Sequence, residues 1–311
     1  MKFEVTILGS RAAKPDVKHY QTAHALNVHE QFYLIDCGEA VQTQLMRYGL
    51  HPMRINHVFV SHLHGDHFYG LFPMISTMGL MGRKTPLHVY GPHPLQEIVD
   101  MHFRYFDAQL GYEVICHEVD HTQHLPVYEN KVMEVWSIPL RHRVPCTGYH
   151  FREKTPGLNL RPAALQRYEL SIQQMVAAKR GEDITLEDGT TIPNAELTYT
   201  PYAARSYAYL SDTTYSAKAA HLVRGVDLMY HEATYADADR KRARQTGHST
   251  TLQAAKAALE AEAGQLIIGH FSGRYDENTE ALRAEAATLF ANTIAATEGL
   301  RVEIPIRKNQ P

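Results

Sequence analysis

Residues 61–67 read Ser61-His62-Leu63-His64-Gly65-Asp66-His67, directly after the apolar run Val58-Phe59-Val60. Three histidines and one aspartate in six positions constrain the fold more than any other feature of the chain. Imidazole and carboxylate groups bind zinc-like divalent cations. A catalytic ion usually takes three protein ligands and one water, so four donors in one turn exceed the needs of one tetrahedral ion. A pair of ions sharing the loop accounts for the excess. Two ions about 3.5–4 Å apart can clamp both the attacking and the leaving oxygen of a phosphoryl displacement. The bland alternative is a His-rich surface loop in a chain with 20 histidines. The strand-then-turn context weighs against it. The chain must therefore fold so that ligands from distant segments reach this turn.

Three segments offer such ligands, each at the end of an apolar, β-like run. Val135-Trp136-Ser137-Ile138-Pro139-Leu140 leads to His142, Tyr207-Ala208-Tyr209-Leu210-Ser211 to Asp212, and Gln265-Leu266-Ile267-Ile268-Gly269 to His270. A strand end is a rigid place from which to aim a side chain. Singly, each is more often a turn or core residue than a ligand. Together they make a series of seven, namely His62, His64, Asp66, His67, His142, Asp212 and His270.

This order resembles the metallo-β-lactamase superfamily and, within it, the ribonuclease Z family. The resemblance runs from Phe3 to about Pro305. Leu34-Ile35-Asp36-Cys37-Gly38-Glu39 is similar to the family's second strand running into its first helix. His231-Glu232-Ala233-Thr234, His248-Ser249-Thr250 and His270-Phe271-Ser272-Gly273-Arg274-Tyr275 match short family motifs. Lys179-Arg180-Gly181-Glu182 and Leu186-Glu187-Asp188-Gly189 also resemble it.

The resemblance implies an α/β fold, the metallo-β-lactamase αβ/βα sandwich, with the metal site at one edge where two sheets meet. It implies one such domain over residues 1–311 with an inserted substrate-binding arm and loop at 155–201. It implies two divalent ions, zinc in the first instance. One is held by His62, His64 and His142, the other by Asp66, His67 and His270, with Asp212 between them. The expected activity is removal of the 3′ trailer from precursor tRNA by attack of a metal-generated hydroxide on the phosphodiester. In that scheme Asp66 orients or deprotonates the nucleophile, His248 protonates the leaving oxygen and Glu232 holds His248. A homodimer in the cytoplasm is expected. The competing reading is a phosphodiesterase of the same fold acting on small or cyclic diesters. A non-catalytic RNA-binding scaffold is disfavoured because no ligand is missing.

The arm departs from the family pattern. Bacterial members typically carry a Pro-Pro-Gly-Pro-like motif before the basic turn, where this chain has Leu170-Ser171-Ile172-Gln173-Gln174. Composition fits an enzyme that does not span a membrane. The chain has 311 residues, 44% hydrophobic and 21% charged, without an apolar run of membrane-spanning length. Three cysteines (Cys37, Cys116 and Cys146) are too sparse for a disulfide scaffold and point to a reducing compartment. The net charge of −3 means any RNA contact must come from local clusters. Arg240-Lys241-Arg242 with Arg244 is one candidate. Arg141, Arg143, Arg152, Lys154 and Arg161 are another.

Strand patterns fall at 3–8, 25–28, 32–35, 57–60, 87–90, 113–117, 131–138, 207–210, 227–231, 265–269 and 301–304. Helical spacing covers 39–48, 250–263 and 279–290, with Ser249 or Thr250 placed to cap the second and Gly264 to end it. Residues 163–179 read as one helix inside the polar segment 155–201.

Overall fold

The structure, a computed structural model, describes residues 1–106, 110–275 and 278–310. Along the chain, β1 (Phe3–Gly9), β2 (Ala23–Val28), β3 (Gln31–Ile35), β4 (Ile55–Phe59), β5 (Leu87–Gly91) and β6 (Val114–Glu118) belong to a first sheet. A second sheet begins with β7 (Pro126–Glu129), β8 (Met133–Pro139) and β9 (Thr147–Glu153). The chain then makes two short ribbons. In one, β10 (Asn159–Leu160) pairs with β13 (Thr198–Tyr199), and in the other β11 (Ile184–Thr185) pairs with β12 (Thr191–Ile192). It returns to the second sheet with β14 (Ser206–Leu210), β15 (Leu228–Glu232), β16 (Gln265–Gly269) and β17 (Thr293–Ala295), and β18 (Arg301–Glu303) closes the first sheet.

Both sheets have seven strands, in the orders β18-β1-β2-β3-β4-β5-β6 and β17-β16-β15-β14-β9-β8-β7. Each is antiparallel in one part and parallel in the other. In the first sheet β3 to β6 are parallel, and in the second β14 to β17 are. The inner faces meet in an aromatic-rich core that includes Phe3, Tyr33, Phe59, Tyr149, Phe151, Tyr207, Tyr209 and Tyr230. Each outer face is covered by helices. Val41, Leu45, Leu71, Met74 and Met78 pack on the first sheet, and the alanine-rich face of the helix Thr251–Glu260 packs on the second. The result is helix, sheet, sheet, helix, the expected αβ/βα sandwich.

Local chemistry explains the element ends. Thr250 caps the helix Thr251–Glu260 in a reciprocal capping box with Gln253. Ser249 instead donates its hydroxyl to the Thr213 carbonyl at 2.7 Å. The helix stops at Glu260, before Gly264. Gly264 serves a close approach, because an added Cβ would lie 2.6 Å from the Asp227 carbonyl oxygen.

Other elements differ from expectation, among them the strands β7 and β17, which no strand pattern covered. The single helix expected over 163–179 is two helices, Pro162–Arg167 and Ile172–Lys179. Ser171 breaks the run by capping the second, its hydroxyl accepting from the Gln174 amide while Gln174 reaches back to its own. The strand Thr147–Glu153 went unpredicted, although Tyr149 and Phe151 point into the inter-sheet core.

The 157–199 segment forms a satellite with its own small core of Ala164, Ala178, Ile184, Ile192 and Leu197. Its outer surface leaves Leu165, Ile172 and Val176 exposed.

Candidate metal centre

Strand direction brings the site together. β3 and β4 run parallel, so Asp36 and the His62–His67 turn emerge at the same edge. β8, β14, β15 and β16 all run towards that edge in the second sheet. Leaving them are His142, Asp212, the Glu232 side chain and His270. Asp36, Asp212 and His270 adopt left-handed backbone angles, with φ of 57, 51 and 59°. Such angles are uncommon for residues with a Cβ and cost on the order of 1–3 kcal/mol each. Here each turns the chain sharply at a strand end.

All seven candidate residues converge. His62 Nε2 lies 3.0 Å from His64 Nδ1, and His142 Nε2 lies 3.3 Å from His64 Nδ1. Asp212 Oδ2 is 3.4 Å from His62 Nε2 and 3.7 Å from His142 Nε2. The second group has His67 Nε2 and His270 Nε2 3.2 Å apart. Asp66 Oδ2 is 3.4 Å from the first and 3.3 Å from the second. Asp212 Oδ1 is 3.3 and 3.2 Å from the same pair. Asp212 thus turns one oxygen to each group.

The outward nitrogens of these rings are all engaged. His67 Nδ1 donates to Asp36 Oδ2 at 2.7 Å, and His142 Nδ1 to the Gly247 carbonyl at 2.8 Å. Ser61 Oγ donates to Asp36 Oδ2, leaving its lone pair to accept from His62 Nδ1 at 2.9 Å. Thr234 Oγ1 donates to Glu232 Oε2 and accepts from His270 Nδ1 at 2.9 Å. Each of these rings turns its outer nitrogen to an acceptor, and in the neutral ring this leaves the Nε2 lone pair facing inward. Such outer partners fix both tautomer and orientation in metal-ligating histidines. Edges of 3.0–3.7 Å between donors are those of a tetrahedron about a cation with bonds of about 2 Å. The donor sets therefore fit divalent metal binding.

Electrostatics agree. Burial pushes His62, His64 and His142 down, the last to about 4, which keeps them neutral. Burial would also push His67 down, but Asp212, Asp66 and Asp36 outweigh it and draw it upward. Burial would raise Asp66 and Asp212. The surrounding histidines, His67 and His270 foremost, hold both well below the usual carboxylate range. The pocket favours added positive charge.

His248 and Glu232 stand beside this centre. Glu232 is fully buried and accepts from His248 Nδ1 at 3.0 Å, from the amides of Thr213, Ser249 and Thr234, and from Thr234 Oγ1. His248 also lies within ligand distance of Asp212 and His270. Burial alone would depress it, but the Glu232 carboxylate raises it to about 9. A doubly protonated ring has no lone pair for a metal and one N–H to give.

Sequence reasoning missed Asp36 as a partner of His67. Tyr209 Oη also donates to it at 2.5 Å, and the Ser61 amide at 2.7 Å. It missed Gly247 too. An added Cβ there would sit 3.0 Å from His142 Nδ1, and the residue's φ is +79°. The second basic cluster is divided in space. Among its members Arg143 lines the metal cleft. Arg152 and Lys154 line a different cavity, with Arg152 3.6 Å from Glu134 and Lys154 paired to Glu129. Arg161 lies over the Tyr199 ring.

The chain is similar to several known proteins. A family model described as Anti-Pycsar protein Apyc1 matches residues 3–104, about a third of the chain. Over nearly the whole length the chain is 41% identical to ribonuclease Z of Bacteroides thetaiotaomicron, covering 97% of this chain and 96% of that one. It is 42% identical to ribonuclease Z of Porphyromonas gingivalis, covering 97% and 99%. Among solved structures, human tRNase Z, short form, superposes with a TM-score of 0.70 at 25% identity over 97% of this chain and 99% of that one. The metallo-β-lactamase fold protein YhfI from Bacillus subtilis superposes at 0.68 with 20% identity over 97% and 100%, a likeness of fold. Shared sequence over the full length, and not the fold alone, places the chain in the ribonuclease Z family.

Proposed function

We propose that the chain is the endoribonuclease that removes the 3′ trailer from precursor tRNA, hydrolysing one phosphodiester and leaving a 3′-hydroxyl on the tRNA body. The observation that carries this reading is full-length similarity to ribonuclease Z joined to an intact convergence of seven donor side chains. His62, His64, His142 and Asp212 would hold one divalent ion, zinc in the first instance, and Asp66, His67 and His270 with Asp212 would hold a second. Bound ions of this kind polarise phosphoryl oxygens and make water a nucleophile at neutral pH.

The remaining steps belong to the chain's own residues. Asp66, held ionised, orients the attacking water. Glu232 keeps His248 protonated and aimed. His248 gives its proton to the departing 3′-oxygen, a contact that strengthens as charge develops there. The segment 155–201 is an inserted arm that grips the substrate at a distance from the chemistry. The protein works as a homodimer in the cytoplasm. Supporting the dimer, Met101, Tyr105 and Phe106 are exposed on the helix Leu95–Phe106, which stacks through His102 on Phe72. Among the described residues no helix is long and apolar enough to cross a membrane.

Two measurements test the reading. Elemental analysis of protein purified without chelator should find close to two ions per chain, mainly zinc. Assays should show cleavage of precursor tRNA well above hydrolysis of a small aryl diester. Robust diester turnover without precursor cleavage would transfer the site to a small-molecule phosphodiesterase.

A further inference from the structure

The metal cleft, about 410 Å³, is lined by two cations that the reaction scheme leaves idle, Lys14 and Arg143. Both are exposed, and neither makes an ion pair or side-chain hydrogen bond among the described residues. Unpaired cations beside Asp66 and Asp212 are positioned for a polyanion that enters the same cleft.

The two sit with different halves of the centre. Lys14 follows Ala12, whose amide donates to the Phe271 carbonyl at 3.1 Å, while the Phe271 amide donates to Ser10 at 3.1 Å. The loop after β1 is thereby stitched to the residue after His270. Arg143 follows His142, and its stem lies against Gly247, where an added Cβ would come within 3.2 Å of Arg143 Cγ. Arg143 therefore packs against the residue that precedes His248, whose ring lies between His142 at 5.0 Å and His270 at 5.3 Å.

We propose that Arg143 holds a phosphate of the tRNA body and Lys14 a phosphate of the trailer, one on each side of the scissile bond. The assignment of sides rests on the proposed role of His248. Cleavage that leaves a 3′-hydroxyl on the body makes the body's 3′-oxygen the leaving group. The residue that protonates this oxygen faces the body, and Arg143 stands with it. Lys14, on the His270 side, meets the first phosphate beyond the cut. Arginine can bind a phosphate through two parallel N–H groups, whereas lysine acts as a point charge. Both are binding residues rather than proton carriers.

Trailer length separates the two. A precursor with a one-nucleotide trailer ending in a hydroxyl has no phosphate beyond the scissile one. Lys14→Ala should raise KM several-fold on a precursor with a ten-nucleotide trailer and leave the one-nucleotide precursor unchanged. Arg143→Ala should raise KM on both. Each change should lower the slope of log KM against log salt by roughly one, the loss of one phosphate contact. Arg283→Ala, on the helix Thr279–Ala287 and outside the lining of the cleft, controls for general charge. Lys14→Arg and Arg143→Lys should restore most of the loss. Equal effects of Lys14→Ala on both precursors, no effect, or the reverse assignment would overturn the proposal. If the wild-type protein cleaves precursor tRNA and His248→Ala loses kcat, such a result sinks this inference alone. If the wild-type protein cleaves neither precursor, the functional reading falls with it.

Discussion

The sandwich and the satellite at 157–199 solve the problem of burial differently. The sandwich buries three large apolar clusters around two seven-stranded sheets. Its polar edge residues are locked by buried carboxylates, with Asp36 and Glu232 both fully inaccessible. The satellite has a core cluster of five buried apolar residues and leaves Ile172 and Val176 on its surface. It joins the sandwich through the two-residue ribbon of β10 and β13. Precision needs a supporting shell, which the sandwich has. Grip on a large substrate needs reach and exposed surface, which the satellite has. Substitutions in the first should therefore change chemistry on every substrate, and in the second only binding of a large one.

The largest effect should follow from His64→Ala. Metal content should fall and activity on both precursor tRNA and a small aryl diester should drop to background, while circular dichroism stays native. A variant that keeps its metal and its turnover would break the comparison at its centre.

Next in size is His248→Ala. Removing a general acid costs about 10²–10⁴-fold in kcat. The metal should remain, and KM should move little, as befits a contact made in the transition state. An activated aryl leaving group needs no proton, so the loss should shrink on that substrate. An equal loss on both would assign His248 to positioning instead.

Excising residues 161–197 and joining Leu160 to Thr198 by a short turn uses a place where the chain already pairs with itself. KM for precursor tRNA should rise by about tenfold or more, since many dispersed phosphate contacts are lost. Diester hydrolysis should be unchanged. Parallel losses would show that the satellite supports the site. Asp36→Asn tests the supporting shell itself. It keeps an acceptor for His67 but removes the charge, and zinc affinity should fall by about 10–100-fold, read by competition with a chelator.

The smallest effect concerns stability of the sandwich. His150 in β9 is buried, and burial, with Arg152 and His124 nearby, pushes it down to about 3. It stays neutral in the fold while the unfolded chain takes up a proton below about pH 6.5. Its contribution is therefore present above pH 6.5 and is lost as pH falls towards 3. His150→Gln should remove up to about 1.4 kcal/mol of pH dependence per unit within that window. Urea midpoints of both proteins at pH 7 and pH 5 will show whether it does.

Much of the convergence was legible because histidine and aspartate stand at the ends of apolar, strand-like runs. The His62–His67 turn announced itself, and His142, Asp212 and His270 each followed an apolar run. Asp36 was hidden because one aspartate after Ile35 looks like any turn residue, and only the fold brings it to His67. Lys14 was hidden for the same reason, its loop being brought to the cleft by the backbone bonds of Ser10 and Ala12 to Phe271. The helix break at Ser171 was written in the Ser-x-x-Gln spacing of Ser171 and Gln174, outweighed by the helical pattern around it. β9 was not picked out as a strand, although Tyr149 and Phe151 alternate with His150 and Arg152 and face the core.

The seven convergent side chains are also ordered in time. All four donors of the first group precede residue 213, so that half can exist once β14 lies beside β9. The other waits for His270, which cannot arrive until β16 has paired with β15. During synthesis, most of the polypeptide must be made before the second half-site is complete. A chain truncated before residue 270 could display every strand of the first half-site and still lack the partner that closes the pair.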